Sequence, residues 1–165
     1  MIKVEQNDIT KLKVDVIVNA ANKSLLGGGG VDGAIHAAAD PQLLEECRKL
    51  NGCETGEAKI TLGYNLPAQY IIHTVGPIYR FHSKKEAKEL LANCYQNSLD
   101  LAKKKKLNSI AFSCISTGVY GYPKSEAAKI AVDTVKEWLS KTRYSLNIIF
   151  CTFDAENKQI YQKLL

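Results

Sequence analysis

The sequence contains no long apolar run, and no segment approaches the roughly 20 residues that a helix needs to cross a bilayer. Its first residues, Met1–Gln6, lack the apolar core of a signal peptide, so we expect the protein not to be secreted. Hydrophobic residues make up 45% and charged residues 24% of the chain, which excludes a disordered, collagen-like or coiled-coil protein. The length of 165 residues predicts a single domain, residues 1–165, with its own buried core.

The sequence also lacks paired cysteines. Its five cysteines are scattered: Cys47, Cys53, Cys94, Cys114 and Cys151. Because their number is odd and no Cys-x-x-Cys pair occurs, we expect neither a disulfide framework nor a zinc knuckle, but free thiols in a reducing cytoplasm. The three histidines are dispersed too, and without a cluster of ligating side chains we expect no metal cofactor.

Acidic residues are fewer than basic ones, 17 against 22, which gives a formal net charge of +5. An excess of this sign favours an anionic ligand. Much of it lies in Lys103–Lys106, which we interpret as a helix end, where cations complement the helix dipole. A nucleic-acid patch is the alternative, but no aromatic residues alternate with these lysines to stack on bases, so nucleic-acid binding is not expected.

Strand-like and helix-like segments alternate along the chain. Apolar, β-branched patterns predict strands at Val14–Asn19, Ala58–Tyr64, Gln69–Val75, Ser109–Ile115 and Leu146–Phe153. Amphipathic spacing and capping signals predict helices at Val31–Ala39, Pro41–Leu50, Ala87–Ala102, Ser125–Leu139 and Ala155–Leu165. This alternation predicts an α/β fold with a largely parallel sheet covered by helices. Ligands bind beyond the carboxyl ends of such strands, so the loops after Asn19 and after Ile115 are the candidate binding regions.

The first of these loops is rich in glycine. Gly27–Gly30 precede a predicted helix, and Asn19, Asn22 and Asp32 bracket them. Consecutive glycines let the backbone approach a ligand closely and direct its N–H groups toward it. We favour this interpretation over a merely flexible connector, because polar residues flank the glycines and a helix follows at once.

Within this loop, Gly28-x-Gly30-x-x-Gly33 matches the dinucleotide-binding fingerprint as a string of letters. The fingerprint begins at the end of a strand, whereas Asn19–Leu26 intervene here, and the acidic residue expected about 20 positions later is missing. A kinase-type phosphate loop is excluded as well, because no Gly-Lys-Ser/Thr follows the glycines. We therefore predict neither a Rossmann enzyme nor a P-loop nucleotidase.

The second loop, Ser116–Lys124, joins a strand to a helix. Its small residues and glycines can form a nest of backbone donors for a diphosphate, and Tyr120 can lie against a sugar. Taken alone, the segment is more typical of a tight turn in which Pro123 starts the helix. Two such loops at the same sheet edge favour a ligand with two phosphates.

Three polar residues lie outside these loops. The Asp8 carboxylate could accept a hydrogen bond from the amino group of a base, but a turn or cap residue is the simpler interpretation. We interpret His73, in the middle of a predicted strand, as a buried histidine with satisfied hydrogen bonds. His82 is predicted to be an exposed loop residue.

Five segments together resemble a known family. They are Asn19–Asn22, Leu25–His36, Thr55–Ile60, Ile72–Pro77 and Ile115–Pro123. In this order, and over nearly the whole chain, they are similar to the macrodomain family, specifically its MacroD-type class. The resemblance implies a three-layer α/β/α sandwich with a mixed, largely parallel sheet and a cleft for ADP-ribose.

The resemblance also implies roles for individual residues. Asn22 and Asp32 match the pair linked to catalysis in this class, and His36, one helical turn after Asp32, is expected to orient it. The residues that match the family's ligand contacts are Asp8, Ile9, Asn19, Ala20, Gly30, Val31, Gly33, Ser116, Thr117, Gly118, Val119, Tyr120 and Phe153.

One end of this implied site would hold adenine. Asp8 matches the residue that binds the adenine amine, Ile9 contacts the base, and Phe153 lies against its face. The family usually has Gly before this Asp, and Asn7 stands there instead. Affinity for the base is the property that this departure affects.

The implied activity is hydrolysis of an ester at the distal ribose, without metal or cofactor. Asp32 would orient or deprotonate a water, and Asn22 would bind a ribose hydroxyl. Substrates would be mono-ADP-ribosyl groups on protein Asp or Glu side chains, and O-acetyl-ADP-ribose. ADP-ribosylated proteins are therefore the expected partners of a cytoplasmic, monomeric enzyme.

Three alternatives stay open at this point. They are a non-catalytic reader of ADP-ribose, a phosphatase for ADP-ribose 1''-phosphate, and a poly(ADP-ribose) or RNA binder that uses Lys103–Lys106. The presence of both Asn22 and Asp32 favours the enzyme, because a reader needs the diphosphate loops but not that pair.

Overall fold

Six strands form one mixed sheet in the computed structural model, which describes all 165 residues. In chain order they are β1 (Ile2–Gln6), β2 (Val16–Ala20), β3 (Ala58–Leu62), β4 (Tyr70–Thr74), β5 (Ser109–Phe112) and β6 (Asn147–Thr152). Their spatial order is β1-β6-β5-β2-β4-β3, and every neighbouring pair is parallel except β3 with β4. The side chains of Val16, Ile17 and Val18 are fully buried on alternating faces, which explains the continuous apolar pattern of β2.

Five helices cover the two faces of the sheet. They are α1 (Gly30–Ala39), α2 (Gln42–Lys49), α3 (Lys84–Lys104), α4 (Lys124–Thr142) and α5 (Ala155–Leu164). α1 and α2 pack on one face, and α3, α4 and α5 pack on the other. None of these helices combines the length and the apolar character that a membrane crossing requires. The predicted three-layer α/β/α sandwich with a mixed, largely parallel sheet is confirmed.

Some elements differ from the predicted ones. β1 is absent from the prediction, because this short edge strand mixes apolar and charged residues and carries only a weak strand signal. α2 begins at Gln42 rather than at Pro41, and Pro41 is the N-cap residue. Asp40 still supports this helix start, because its Oδ1 accepts a hydrogen bond from the backbone N–H of Leu44 (2.9 Å).

The predictions for Lys103–Lys106 and for His82 have different outcomes. Lys103–Lys106 marks a helix end, as predicted: α3 ends at Lys104, all four lysines are exposed, and Lys106 has a φ of 58°. The predicted exposure of His82 is wrong, because its ring is half-buried. It lies against the first turn of α3, with Nδ1 3.5 Å from Glu86 Oε2.

Candidate functional site

Two loops leave adjacent strands at the carboxyl edge of the sheet. The β2 loop (residues 21–29) connects β2 to α1, and the β5 loop (residues 113–123) connects β5 to α4. β2 and β5 are parallel neighbours, and the Ser113 hydroxyl donates to the carbonyl of Val18 in β2 (2.8 Å). The sheet therefore brings together the two loops that the sequence analysis selected.

The β2 loop packs directly against the first turn of α1. Gly29 is the N-cap residue, and Gly30 adopts a φ of 58°, a conformation that favours glycine. Gly33 lies so close to the carbonyl oxygen of Gly28 that a side chain at position 33 would collide with it. The third glycine of the spacing noted in the sequence is therefore required for the loop and the helix to approach each other.

Asp32 lies beneath the β2 loop and is only 4% exposed. Its Oδ1 accepts a hydrogen bond from Nδ2 of Asn19 (2.8 Å). Burial raises the pKa of the Asp32 carboxyl, and the hydrogen bond from Asn19 opposes this rise. The carboxylate does not cap α1, because Gly29 is the N-cap residue and the partner of Asp32 is a side chain. A buried carboxylate of this kind is a candidate for acid–base chemistry.

Asn22 and Asp32 both border Gly28. A Cβ atom added at position 28 would lie 3.2 Å from Asn22 Nδ2 and 3.2 Å from Asp32 Oδ2. Asn22 also holds the loop in shape: its Nδ2 donates to the carbonyl of Gly27 (3.0 Å), and its Oδ1 accepts from the backbone N–H of Leu25 (3.2 Å). The structure therefore brings the implied catalytic pair together around a single glycine.

His36 is close to Asp32 without a hydrogen bond to it. Its Nε2 lies 3.6 Å from Asp32 Oδ1, and its Nδ1 lies 3.4 Å from Asp40 Oδ2. The ring is buried, and neither nitrogen has a hydrogen-bond partner. When protonated, His36 acts on Asp32 through its charge, which lowers the pKa of that carboxyl, and not through a directed hydrogen bond.

Asn19 is fully buried under the β2 loop, where it links Asp32 to a histidine. Its Nδ2 also lies 3.2 Å from Nδ1 of His73 in β4, and Nε2 of His73 lies 2.9 Å from Oγ1 of Thr61 in β3. Burial lowers the pKa of His73 to about 3, so the ring is neutral at physiological pH. The prediction that His73 is a satisfied core histidine is confirmed.

Sequence reasoning missed the connection from His73 to the site. Asn19 and Asp32 are 13 residues apart, and Asn19 and His73 are 54 residues apart, so no local pattern joins them. The register of β2 with β4, which sets Asn19 beside His73, creates the link.

The β5 loop exposes mainly backbone atoms, rather than polar side chains, at the carboxyl edge of the sheet. Ser116 has a φ of 67°, and its hydroxyl donates to the carbonyl of Pro77 (2.9 Å). Gly76 packs so tightly against this serine that a side chain at position 76 would collide with its Oγ. By contrast, Gly118 has no neighbour within 4 Å of its Cβ position, and Val119 is 92% exposed. Gly76 supports the β5 loop, a role that was not predicted, although the residue lies in Ile72–Pro77, one of the segments that carry the family resemblance.

Both loops carry backbone N–H groups that donate to no protein acceptor. They belong to residues 27–32 around the start of α1 and to residues 117–120 in the β5 loop. Such donors at a helix N-terminus and in a turn suit an anion with several oxygens. The other residues matched by the resemblance lie at the same edge: Ala20 at the end of β2, Val31 in the first turn of α1, and Thr117 and Tyr120 in the β5 loop.

Asp8, Ile9 and Phe153 follow β1 and β6 at the same edge. Asp8 caps a short 3-10 turn, since its Oδ1 accepts from the hydroxyl (2.7 Å) and the backbone N–H (3.0 Å) of Thr10. The hydroxyl bond is the main reason that the pKa of Asp8 is lowered. Its Oδ2 has no protein partner, so the cap leaves one oxygen for a ligand. Phe153 is 86% exposed, whereas Ile9 is buried in the core.

Asn7 occupies its position without backbone strain. It is not among the residues with positive φ, so the turn does not require a glycine there. Its Oδ1 accepts from the backbone N–H of Asp8 (2.7 Å), and its Nδ2 donates to Glu5 Oε1 (3.0 Å). The departure from the family pattern therefore leaves the Asp8 turn intact.

Comparison with known proteins gives a family match and close relatives. Residues 18–131 match the model of the Macro domain family. The chain is 61% identical over 163 residues to the ADP-ribose glycohydrolase MACROD2 of Mus musculus, and the match covers 98% of this chain and 34% of that protein. The chain thus spans about a third of the length of this curated relative.

Solved structures agree with the sequence match. The macrodomain of Oceanobacillus iheyensis with ADP has a TM-score of 0.93 and 50% identity, over 97% of this chain and 87% of that one. The macrodomain of Trypanosoma brucei in complex with ADP-ribose has a TM-score of 0.92 and 45% identity, over 99% and 68% of the two chains. At these identities the similarity extends to sequence as well as fold.

Proposed function

This chain belongs to the Macro domain family, and from that premise we propose that it binds ADP-ribose and hydrolyses ester-linked ADP-ribose. The substrates are mono-ADP-ribosyl groups on Asp or Glu side chains of proteins, and O-acetyl-ADP-ribose. The glycohydrolase name of the mouse relative and the ADP-ribose complex of the trypanosome macrodomain support both parts of the proposal.

The free backbone donors of the two loops support a binding mode for ADP-ribose. The N–H groups of residues 27–32 and 117–120 bind the diphosphate, and the dipole of α1 adds to the attraction. The free Oδ2 of Asp8 accepts from the adenine amine, and the exposed ring of Phe153 covers the face of the base. The distal ribose then lies toward the β2 loop, next to Asn22 and Asp32.

The observation that carries the proposed hydrolysis is the buried Asp32 carboxylate beside Gly28 and Asn22. A raised pKa makes the ionised carboxylate a stronger base, able to take a proton from water while that water attacks the ester. The water oxygen bonds to the ester carbonyl carbon, the bond from that carbon to the ribose oxygen breaks, and the ribose oxygen takes the proton from Asp32 and becomes a hydroxyl of ADP-ribose. The acid is released as its carboxylate and gives its remaining proton to solvent. Because Asp32 returns its proton to the leaving oxygen, the rest of the site mainly has to position the water and the ribose.

Two neighbours of Asp32 assist in this scheme. Asn22 uses one Nδ2 hydrogen for Gly27, and its second hydrogen is directed to a ribose hydroxyl. His36 lies 3.6 Å from Asp32 and keeps the carboxylate ionised through its charge when the ring is protonated. The scheme uses no metal ion.

The decisive experiment is incubation of the wild-type chain with a glutamate-linked mono-ADP-ribosylated protein, followed by quantification of free ADP-ribose. We expect release of ADP-ribose, with and without a chelator, and deacetylation of O-acetyl-ADP-ribose. Binding of ADP-ribose by calorimetry without release from either ester would identify a reader instead. Turnover of ADP-ribose 1''-phosphate alone would identify a phosphatase.

The same proposal includes the cellular location, the oligomeric state and the partners of the protein. All five cysteines are free thiols, and four of them are buried, which supports a cytoplasmic location. We propose a monomer whose partners are ADP-ribosylated proteins. Gel filtration of the pure chain and its retention on an ADP-ribosylated protein test these two points.

A further inference from the structure

A continuous series of hydrogen bonds runs through the core from the backbone of β3 to Asp32. The hydroxyl of Thr61 donates to the carbonyl of Leu62 (3.1 Å), and Thr61 Oγ1 lies 2.9 Å from Nε2 of His73. On the other side of the ring, Nδ1 lies 3.2 Å from Nδ2 of Asn19, which donates to Asp32 (2.8 Å). The four side chains in this series are each at most 4% exposed.

The series fits only one arrangement of protons. The ionised Asp32 can only accept, so the amide of Asn19 must present its Nδ2 group to it. That group also donates to His73, whose Nδ1 must then be unprotonated. The neutral ring carries its hydrogen on Nε2, which donates to Thr61, and the Thr61 hydrogen goes to the backbone carbonyl. The fixed carbonyl of β3 thus selects the tautomer of His73.

The opposite orientation of the Asn19 amide would pair an atom that now lacks a hydrogen-bond partner. The Oδ1 of Asn19 is buried without a hydrogen-bond partner. If the ring hydrogen moved to Nδ1, the amide would turn, Oδ1 would gain that hydrogen, and Asp32 would lose its donor. Because an unpaired buried oxygen is costly, something must hold the amide in the observed orientation. Two groups do so together: the ionised Asp32, which can only accept, and the unprotonated Nδ1 of His73, whose hydrogen Thr61 holds on Nε2.

We propose that His73 and Thr61 are positioning residues for Asp32, which act by fixing the orientation of the Asn19 amide. The inference rests on the proposed hydrolysis for its effect on rate, but the orientation itself is measurable without any substrate. Neither residue touches the ligand site, because β3 and β4 hold both in the core under α1 and α2.

The test compares Thr61→Val, which removes the hydroxyl at nearly constant shape, with Thr61→Ser, which keeps it. Thr74→Val is the matched control: Thr74 is a fully buried strand threonine whose hydroxyl donates to the carbonyl of Glu57 (2.8 Å), outside the series. We expect Thr61→Val to lower kcat about tenfold. In metalloenzymes, loss of a residue that orients a metal ligand through a hydrogen bond costs about 10- to 100-fold, and we take the lower end of that range. The Kd for ADP-ribose should stay within about twofold, and Thr61→Ser and Thr74→Val should keep kcat, at matched folded fractions.

A second measurement separates positioning from general loss of structure. ¹³C titration of the Asp32 carboxyl should give a higher pKa in Thr61→Val than in the wild type, because the hydrogen bond from Asn19 that lowers it is lost. The titratable groups facing Asp32 and His73 are His36, Asp40 and Cys47, and all three are unchanged in the variant. Thr61→Ser should titrate as the wild type does.

The positioning role and the proposed hydrolysis can fail independently of each other. Equal kcat and equal Asp32 titration in Thr61→Val and Thr61→Ser would overturn the positioning role. ¹⁵N spectra of the wild type offer a test without any variant: a His73 ring protonated on Nδ1 would overturn it as well. If the wild type released no ADP-ribose, the proposed hydrolysis would fail, while the Asp32 titration would still decide the positioning role.

Discussion

The β2 loop and the β5 loop stand side by side at one sheet edge, yet they are built in opposite ways. Below the β2 loop lies a dense layer of buried polar side chains, and the Cβ position of Gly28 would lie 3.2 Å from the buried Asp32 and 3.2 Å from the half-buried Asn22. The β5 loop offers backbone donors, and the Cβ position of Gly118 faces open space. Catalytic geometry requires side chains fixed from several directions, whereas binding an anion requires only a backbone of the right curvature.

The largest expected effect concerns Asp32, in the first turn of α1 beneath the β2 loop. Asp32→Ala should lower kcat by about 100-fold or more, the usual scale for loss of an acid–base group. The Kd for ADP-ribose should change by less than about threefold, since the substitution leaves the backbone N–H groups that bind the diphosphate and the adenine contacts of Asp8 and Phe153 in place. Ester hydrolysis at matched folded fraction, together with calorimetry, measures both.

A double variant sharpens the same prediction. If Asn22 and Asp32 act as one unit, combining Asn22→Ala with Asp32→Ala should cost much less than the product of the two single losses. Turnover near the wild-type rate in Asp32→Ala would remove this residue from the chemistry and leave the β2 loop as a second binding loop.

The next effect concerns charge in the β5 loop. Gly118→Glu should weaken ADP-ribose binding by about 30-fold or more, because a negative charge would face the diphosphate. Gly118→Gln has nearly the same shape without the charge and should lose much less. Calorimetry on both variants, with thermal melting to confirm the fold, makes the comparison. Equal affinity of Gly118→Glu and the wild type would place the diphosphate away from this loop.

A pair of alanine substitutions tests the contrast between the loops directly. In Gly28→Ala the new methyl group would lie 3.2 Å from Asn22 Nδ2 and Asp32 Oδ2, so one of them must shift. We expect kcat to fall about tenfold, because small displacements of reacting groups are costly. Gly118→Ala meets nothing within 4 Å and should change kcat and Kd by less than about twofold. Similar losses in the two variants would contradict the proposed difference.

The smallest effect is one of stability. Burial raises the pKa of Asp32 in the folded state above its ordinary value of 3.8, so ionisation of this group opposes folding. This penalty is absent below the unfolded pKa and is fully present once the pH exceeds the raised folded value. Asp32→Asn should therefore raise Tm by a few degrees at pH 7, and the difference should shrink as the pH falls toward 4. A lower Tm at pH 7 would show that the ionised carboxylate stabilises the fold.

Much of the architecture could be predicted from the sequence because it depends on local patterns. The buried pattern of β2, the glycines before α1 and the end of α3 near Lys104 all follow from residue type and spacing. β1 escaped prediction because an edge strand with charged residues resembles a loop. The location of the candidate site could also be predicted from the sequence, since parallel strands place the loops that follow them at one edge of the sheet.

The sequence by itself determined which residues were available: two loops rich in glycine and small residues, one carboxylate at the head of a helix, and one histidine within an apolar strand. Only the tertiary structure decided which buried polar atoms pair. Asn19, Thr61 and His73 lie on three different strands, and they meet because β2 pairs with β4 and β4 pairs with β3 in one particular register. A shift of that register by one residue would turn His73 to the opposite face of the sheet. Strand pairing is a long-range choice made by the packing of both faces, and for that reason the environment of Asp32 cannot be read from its neighbours in the chain.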